Sequence, residues 1–85
     1  MVNRSPREAE LLGKATSYIP GGTVGNTSFP DDLQFLAKEG KGAHIWDVSG
    51  NKYIDWLMGS GPMILGHAHP TVTDAVIDAV KHGST

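Results

Sequence analysis

Gly59-Ser60-Gly61-Pro62-Met63-Ile64-Leu65-Gly66-His67-Ala68-His69-Pro70 is the stretch on which the reading of this chain turns. Three glycines and two prolines within these twelve residues describe neither a strand nor a helix. Glycine admits backbone angles closed to other residues, and proline fixes its own φ while removing a donor. The expectation is a backbone held in an irregular path that a ligand can approach closely. Met63, Ile64 and Leu65 would pin that path to apolar surface, and Ser60, His67 and His69 are its polar groups.

On the C-terminal side, Pro70-Thr71-Val72-Thr73-Asp74 opens a helix. Thr71 and Asp74 stand at the spacing of a capping box, with Pro70 as the alternative first helical residue. Val72, Ala75, Val76, Ala79 and Val80 recur on one face, Lys81 and His82 suit the negative end, and Gly83 suits the stop. On the N-terminal side, the runs 33–38, 43–48 and 52–57 are rich in apolar, aromatic and β-branched residues. They are separated by Gly40-Lys41-Gly42 and Ser49-Gly50-Asn51, which are hairpin signals. A three-stranded antiparallel meander is expected. Alternation puts His44, Trp46 and Val48 on one face and Ile45 and Asp47 on the other, with Trp46, Tyr53 and Trp56 as core or interface aromatics.

The chain begins with a second helix signal. Ser5 is placed as the cap, Pro6 as the first helical residue, and Glu8 to bond back to the cap's N–H. Leu11, Leu12, Ala15, Tyr18 and Ile19 follow at helical spacing, and Pro20-Gly21-Gly22 ends the pattern. Gly21 to Pro30 is a glycine- and hydroxyl-rich loop whose N–H groups and side-chain oxygens could line a polar pocket. It lacks the Gly-Lys-Ser/Thr ending of a nucleotide triphosphate loop.

Composition narrows the function further. A chain of 85 residues forms at most one small domain, and one that buries only roughly 60% of its unfolded surface is marginal alone. The formal charge is −2 and the seven Lys and Arg residues form no stripe, which speaks against nucleic acid. There is no cysteine, hence neither a disulfide framework nor a thiolate metal site. No run of about 18 apolar residues suggests a membrane span. A cytoplasmic location is the expectation.

The candidate chemical groups are few. His67 and His69 are two apart, which in extended backbone sends them to opposite sides, so they read as turn-fixing histidines rather than a metal pair. Asp31-Asp32 reads as a turn cap, and Asp74 with Asp78 as a solvated helix face beside Lys81. The five lysines, at 14, 38, 41, 52 and 81, stand where solvent is expected. No nucleophile with an adjacent base is recognisable, so no catalytic residue is assigned.

Two runs together carry a family resemblance. Lys41-Gly42-Ala43-His44-Ile45-Trp46-Asp47-Val48-Ser49-Gly50-Asn51-Lys52-Tyr53-Ile54-Asp55, followed by the Gly59 to Pro70 stretch, resembles the N-terminal region of class III aminotransferases. Within that class it is most similar to the glutamate-1-semialdehyde aminomutase-like branch. Ile19-Pro20-Gly21-Gly22 also matches, so the resemblance covers nearly the whole chain.

The resemblance implies a pyridoxal-phosphate enzyme of fold type I, of α/β class, forming a homodimer. Residues 1–85 are then an α+β N-terminal segment: helix, three-stranded antiparallel meander, irregular glycine-rich stretch, helix. The large cofactor-binding domain, with its cofactor lysine, is expected outside this chain, and the segment by itself is expected to be inactive. Ser60 and Gly61 would face the cofactor. Asn26, Thr27 and Ser28, with Ser60, would face a small-molecule amine or amino acid substrate. Two departures from the aminomutase pattern bear on substrate. An arginine-bearing segment after Pro-Gly-Gly is absent from Thr23 to Phe29, and a tryptophan before Gly-Pro is replaced by Ser60. Amino transfer is the first reading, isomerisation of glutamate semialdehyde an alternative, and a non-catalytic dimerisation or interaction fragment a third.

Overall fold

The computed structural model describes residues 3–22 and 29–83. Helix α1 is Pro6–Tyr18 and helix α2 is Pro70–Val80. Between them lie strands β1 (Ala37–Lys41), β2 (His44–Asp47) and β3 (Lys52–Ile54), in the sheet order β1-β2-β3. Both neighbouring pairs are antiparallel. The α+β meander expected from the sequence is therefore the observed architecture.

The first strand lies further along the chain than its apolar content suggests. Gly40 and Lys41 belong to β1, and the hairpin turn is only Gly42-Ala43, since Lys41 pairs with His44. Gly40 is tolerated in the strand because the His67 ring fills the space above it: a Cβ there would stand 2.6 Å from Cγ of His67. Leu33 to Leu36, expected in the strand, instead runs from a turn into an extended lead-in, and its register slips between Ala37 and Glu39.

Helix α1 starts as its sequence directs, with the Ser5 hydroxyl accepting from the Glu8 N–H at 3.2 Å and Pro6 at the first helical position. The other half of the capping box does not form. The Ser5 N–H donates to Oγ of Ser49 at 2.7 Å, and the Glu8 carboxylate reaches the Leu36 N–H at 2.6 Å and the Ser49 hydroxyl. Glu8 is thereby fully buried. Arg4 adds bonds to the carbonyls of Asp31 and Gln34, both 2.7 Å, and Asn51 donates to the Asn3 carbonyl at 2.6 Å. The start of α1 is thus fastened to the sheet by polar groups.

Helix α2 uses Pro70 as its first residue and His69 as its cap, so Thr71 and Asp74 form no capping box at its start. It is exposed along its length.

Among the described residues the fully buried side chains are Glu8 and Asp47, and no apolar side chain reaches that state. Asp47 accepts from the Asn51 backbone and side chain and from the Tyr53 hydroxyl, at 2.7, 2.8 and 2.8 Å. Phe35 stacks on Tyr53 at 5.0 Å between ring centroids. Trp46 is half-buried, whereas Trp56, expected as a core or interface aromatic, is 89% exposed within this chain. The radius of gyration, 14.8 Å, exceeds the about 12 Å of a compact domain of this length.

Candidate functional site

The backbone around Ser60 is the least ordinary part of the molecule. Met58, Gly59, Ser60 and Gly61 all have positive φ, at 48, 65, 65 and 114°. For Met58 and Ser60, which carry Cβ atoms, that conformation costs about 1 kcal/mol or more each and persists only when neighbouring structure enforces it. The corner is bonded internally, with Ser60 N–H to Leu57 carbonyl at 2.9 Å and both Gly61 and Met63 N–H to Met58 carbonyl at 3.3 Å.

Enforcement comes from the two ends of the loop. Oδ1 of Asp55 accepts the Leu57 and Met58 N–H groups at 2.9 and 3.1 Å, while Oδ2 lies 2.6 Å from Nε2 of His67. His67 in turn exchanges two backbone bonds of 2.9 Å with Gly42 in the hairpin turn and packs its ring on Gly40. Gly66, with φ +84°, lies against the Gly42 backbone. Residues 55–67 therefore leave and rejoin the same hairpin, and the Ser60 corner is the far part of the loop. The His67 hydrogen bond, helped by the Met58 N–H, holds the Asp55 carboxyl below the ordinary carboxylate value.

Tyr53 and Asp47 titrate abnormally for structural reasons. Burial pushes the Asp47 carboxyl up, but donation from Asn51 and Tyr53 outweighs this and leaves it low. The Tyr53 phenol is pushed up to about 12 by burial and by the Asp47 carboxylate that it donates to.

Next to the loop, Pro62, Met63, Leu65, His69, Val72 and Val76 line part of a largely apolar groove of about 420 Å³ against α2. His69 Nδ1 is buried there with no partner among the described residues.

Ser60 and Gly61 lie on the exposed outside of the corner, and no heavy atom stands within 4 Å of where a Gly61 Cβ would be. Asn26, Thr27 and Ser28 lie outside the described residues. Sequence reading placed Asp55 as a strand residue and missed its work as a cap. The available signal was an aspartate followed by a glycine-rich corner and a histidine that could return to it.

A sequence profile of the family described as Aminotransferase class-III matches residues 27–85. The chain belongs to the class III aminotransferases. A glutamate-1-semialdehyde 2,1-aminomutase from Syntrophomonas wolfei is 42% identical over 91 aligned positions, covering 96% of this chain and 20% of that protein. Among solved structures, a transaminase with PLP bound superimposes with a TM-score of 0.82 at 32% identity, over 99% of this chain and 20% of its own. A glutamate-1-semialdehyde aminomutase from Pseudomonas aeruginosa gives 0.77 at 30% identity, over 94% of this chain and 18% of its own.

This class III chain thus spans about a fifth of the length of the relatives it matches. Its fold is the corresponding part of a fold type I pyridoxal-phosphate transaminase. Both transaminases and aminomutases stand among the similar structures.

Proposed function

We propose that the whole protein transfers an amino group through pyridoxal phosphate and that residues 1–85 supply walls of its active site. A donor amine would leave as the carbonyl compound while a keto or aldehyde acceptor leaves as the amine. Family membership supports the reaction class, and the cofactor would provide the electron sink that side chains lack.

The described residues fit a wall better than an anchor. The open space beside Gly61 and the exposure of Ser60 allow a flat ring or a substrate chain to approach. The family resemblance assigns the groups that fix the cofactor to the remainder of the protein, with a homodimer as its working form. Ser60 and Gly61 would border the cofactor, and Asn26, Thr27 and Ser28 would join Ser60 on the substrate side. In this chain the role of Ser60 is to shape and hydrogen-bond, not to move protons.

Ser60 is the observation that carries amino transfer over isomerisation. A small hydroxyl occupies the corner where the resemblance places an indole, and the 23–29 stretch offers no arginine for a substrate carboxylate. The names of the curated relatives favour isomerisation as the second reading. The test is to supply the whole protein with pyridoxal phosphate and compare two assays. Amine-dependent conversion of a keto acid, with little turnover of glutamate 1-semialdehyde, is the result expected. Efficient isomerisation would establish the second reading, and no near-visible, borohydride-sensitive absorbance would overturn both.

A further inference from the structure

We propose that Asp55 and His67 are positioning residues that set the Ser60–Gly61 corner for substrate. The part of this proposal that concerns substrate rests on the function proposed above; the part that concerns the corner rests on geometry alone.

The corner contains two non-glycine residues, Met58 and Ser60, in the left-handed region. Isolated, such a segment would relax toward ordinary angles. Its own hydrogen bonds are short-range, linking Leu57, Met58, Ser60, Gly61 and Met63 to one another, and bonds of this kind leave the corner's orientation relative to the sheet undefined. Among the described residues, the side-chain bonds that tie the corner to the sheet run through Asp55. The Asp55 carboxylate uses one oxygen to hold the first N–H groups of the corner and the other to hold His67. His67 is itself fixed by reciprocal backbone bonds to Gly42 and by a ring seat on Gly40. A chain of short contacts therefore runs from the hairpin through His67 and Asp55 to Met58, two residues before Ser60.

Both members of the pair are largely sheltered, with side chains 19% and 13% exposed for His67 and Asp55. Water competes weakly for a bond so placed, and a carboxylate accepting from three donors has little freedom to rotate. Breaking either end would let the corner pivot on Asp55. A shift of about 1 Å in a substrate-bordering group is enough to slow a reaction about a hundredfold.

The experiment compares four variants of the whole protein: His67→Ala, His67→Gln, Asp55→Ala and Gly40→Ala. Gln can still donate near the position of Nε2, and Gly40→Ala displaces the His67 ring without changing the chemical identity of either member of the pair. Hydrogen exchange is read at the Ser60 and Gly61 amides and, as a reference, at Ile45 and Trp46 in β2. Steady-state kinetics with an amine donor are read alongside.

We expect about tenfold faster exchange at Ser60 and Gly61 in the two alanine replacements of the pair and in Gly40→Ala, with β2 unchanged. KM should rise more than kcat falls, and His67→Gln should recover most of both effects. Unchanged exchange at the corner, or an equal increase in β2, would overturn the positioning role. Local exchange changes with unaltered kinetics would overturn its substrate part. Loss of the proposed function shows separately, as an unsubstituted protein that takes up no pyridoxal phosphate.

Discussion

The Glu8 carboxylate lies 2.6 Å from the Leu36 backbone nitrogen, 28 residues away in sequence, and is fully buried between the start of α1 and the lead-in to β1. It also accepts from Ser49, which bonds the Ser5 hydroxyl and N–H. A residue whose local pattern points to helix capping thus joins three segments.

Replacing Glu8 by Ala would leave the Leu36 N–H and the Ser49 hydroxyl without their acceptor inside the structure. We expect a loss of about 3 kcal/mol, at the upper end for a hydrogen-bonded charged group. Glu8→Gln retains one acceptor oxygen and should lose about half as much. Urea unfolding followed by circular dichroism measures both, and equal, near-zero losses would show that the buried contact contributes nothing net.

Acid should loosen the 55–67 loop. Because the folded-state pKa of Asp55 is depressed, chiefly by His67, its contribution is complete above the ordinary carboxylate value near about 4. It is lost as pH falls through the lower folded value. Amide exchange at Leu57 and Met58, after correction for intrinsic rates, should increase across that acidic window, and Asp55→Asn should remove the dependence. An unchanged profile in Asp55→Asn would refute the assignment.

Alkali acts on Tyr53 in β3. The Tyr53 phenol, raised to about 12, contributes its full stabilisation below its ordinary value near about 10 and loses it as pH rises through the folded value. Ultraviolet difference titration against Tyr53→Phe should isolate a transition near 12. At neutral pH the same substitution should cost about 1 kcal/mol, the usual worth of one hydrogen bond.

Gly66→Ala tests the closeness of the loop to the hairpin turn. The new Cβ would stand 3.0 Å from both Cα and the carbonyl oxygen of Gly42, at a φ of +84°. Backbone atoms on both sides leave little room to yield, so we expect a loss of about 2 kcal/mol, of the size of other strained backbone sites. Gly50→Ala, with φ +89° but no atom within 4 Å, should cost less, and the difference between the two unfolding free energies measures the clash.

Val72, Val76, Ile77 and Val80 of α2 are 46, 59, 51 and 56% exposed. An apolar face of this kind promotes association. The 85-residue chain should therefore melt at a temperature that rises with its concentration. Ile77→Asp should reduce that dependence, and sedimentation that stays monomeric over the same range would contradict the expectation.

Much was legible along the chain. Both helices begin with a proline where helix ends favour one, the antiparallel meander follows from short β-rich runs between glycine turns, and the Gly59 to Pro70 stretch is as irregular as its glycines and prolines demand. The family, too, was legible in two ordered motifs. These features depend on neighbours a few residues apart, and sequence reports such neighbours directly.

Tertiary structure decided where the polar groups went. Glu8 left the capping box because the Leu36 N–H and the Ser49 hydroxyl lay within reach. Gly40 moved from turn to strand because the His67 ring required the space a side chain would fill, and Asp55 became a cap because His67 returned to it across the loop. Each outcome rests on a contact between distant segments, whose free energy exists only after the chain has brought them together.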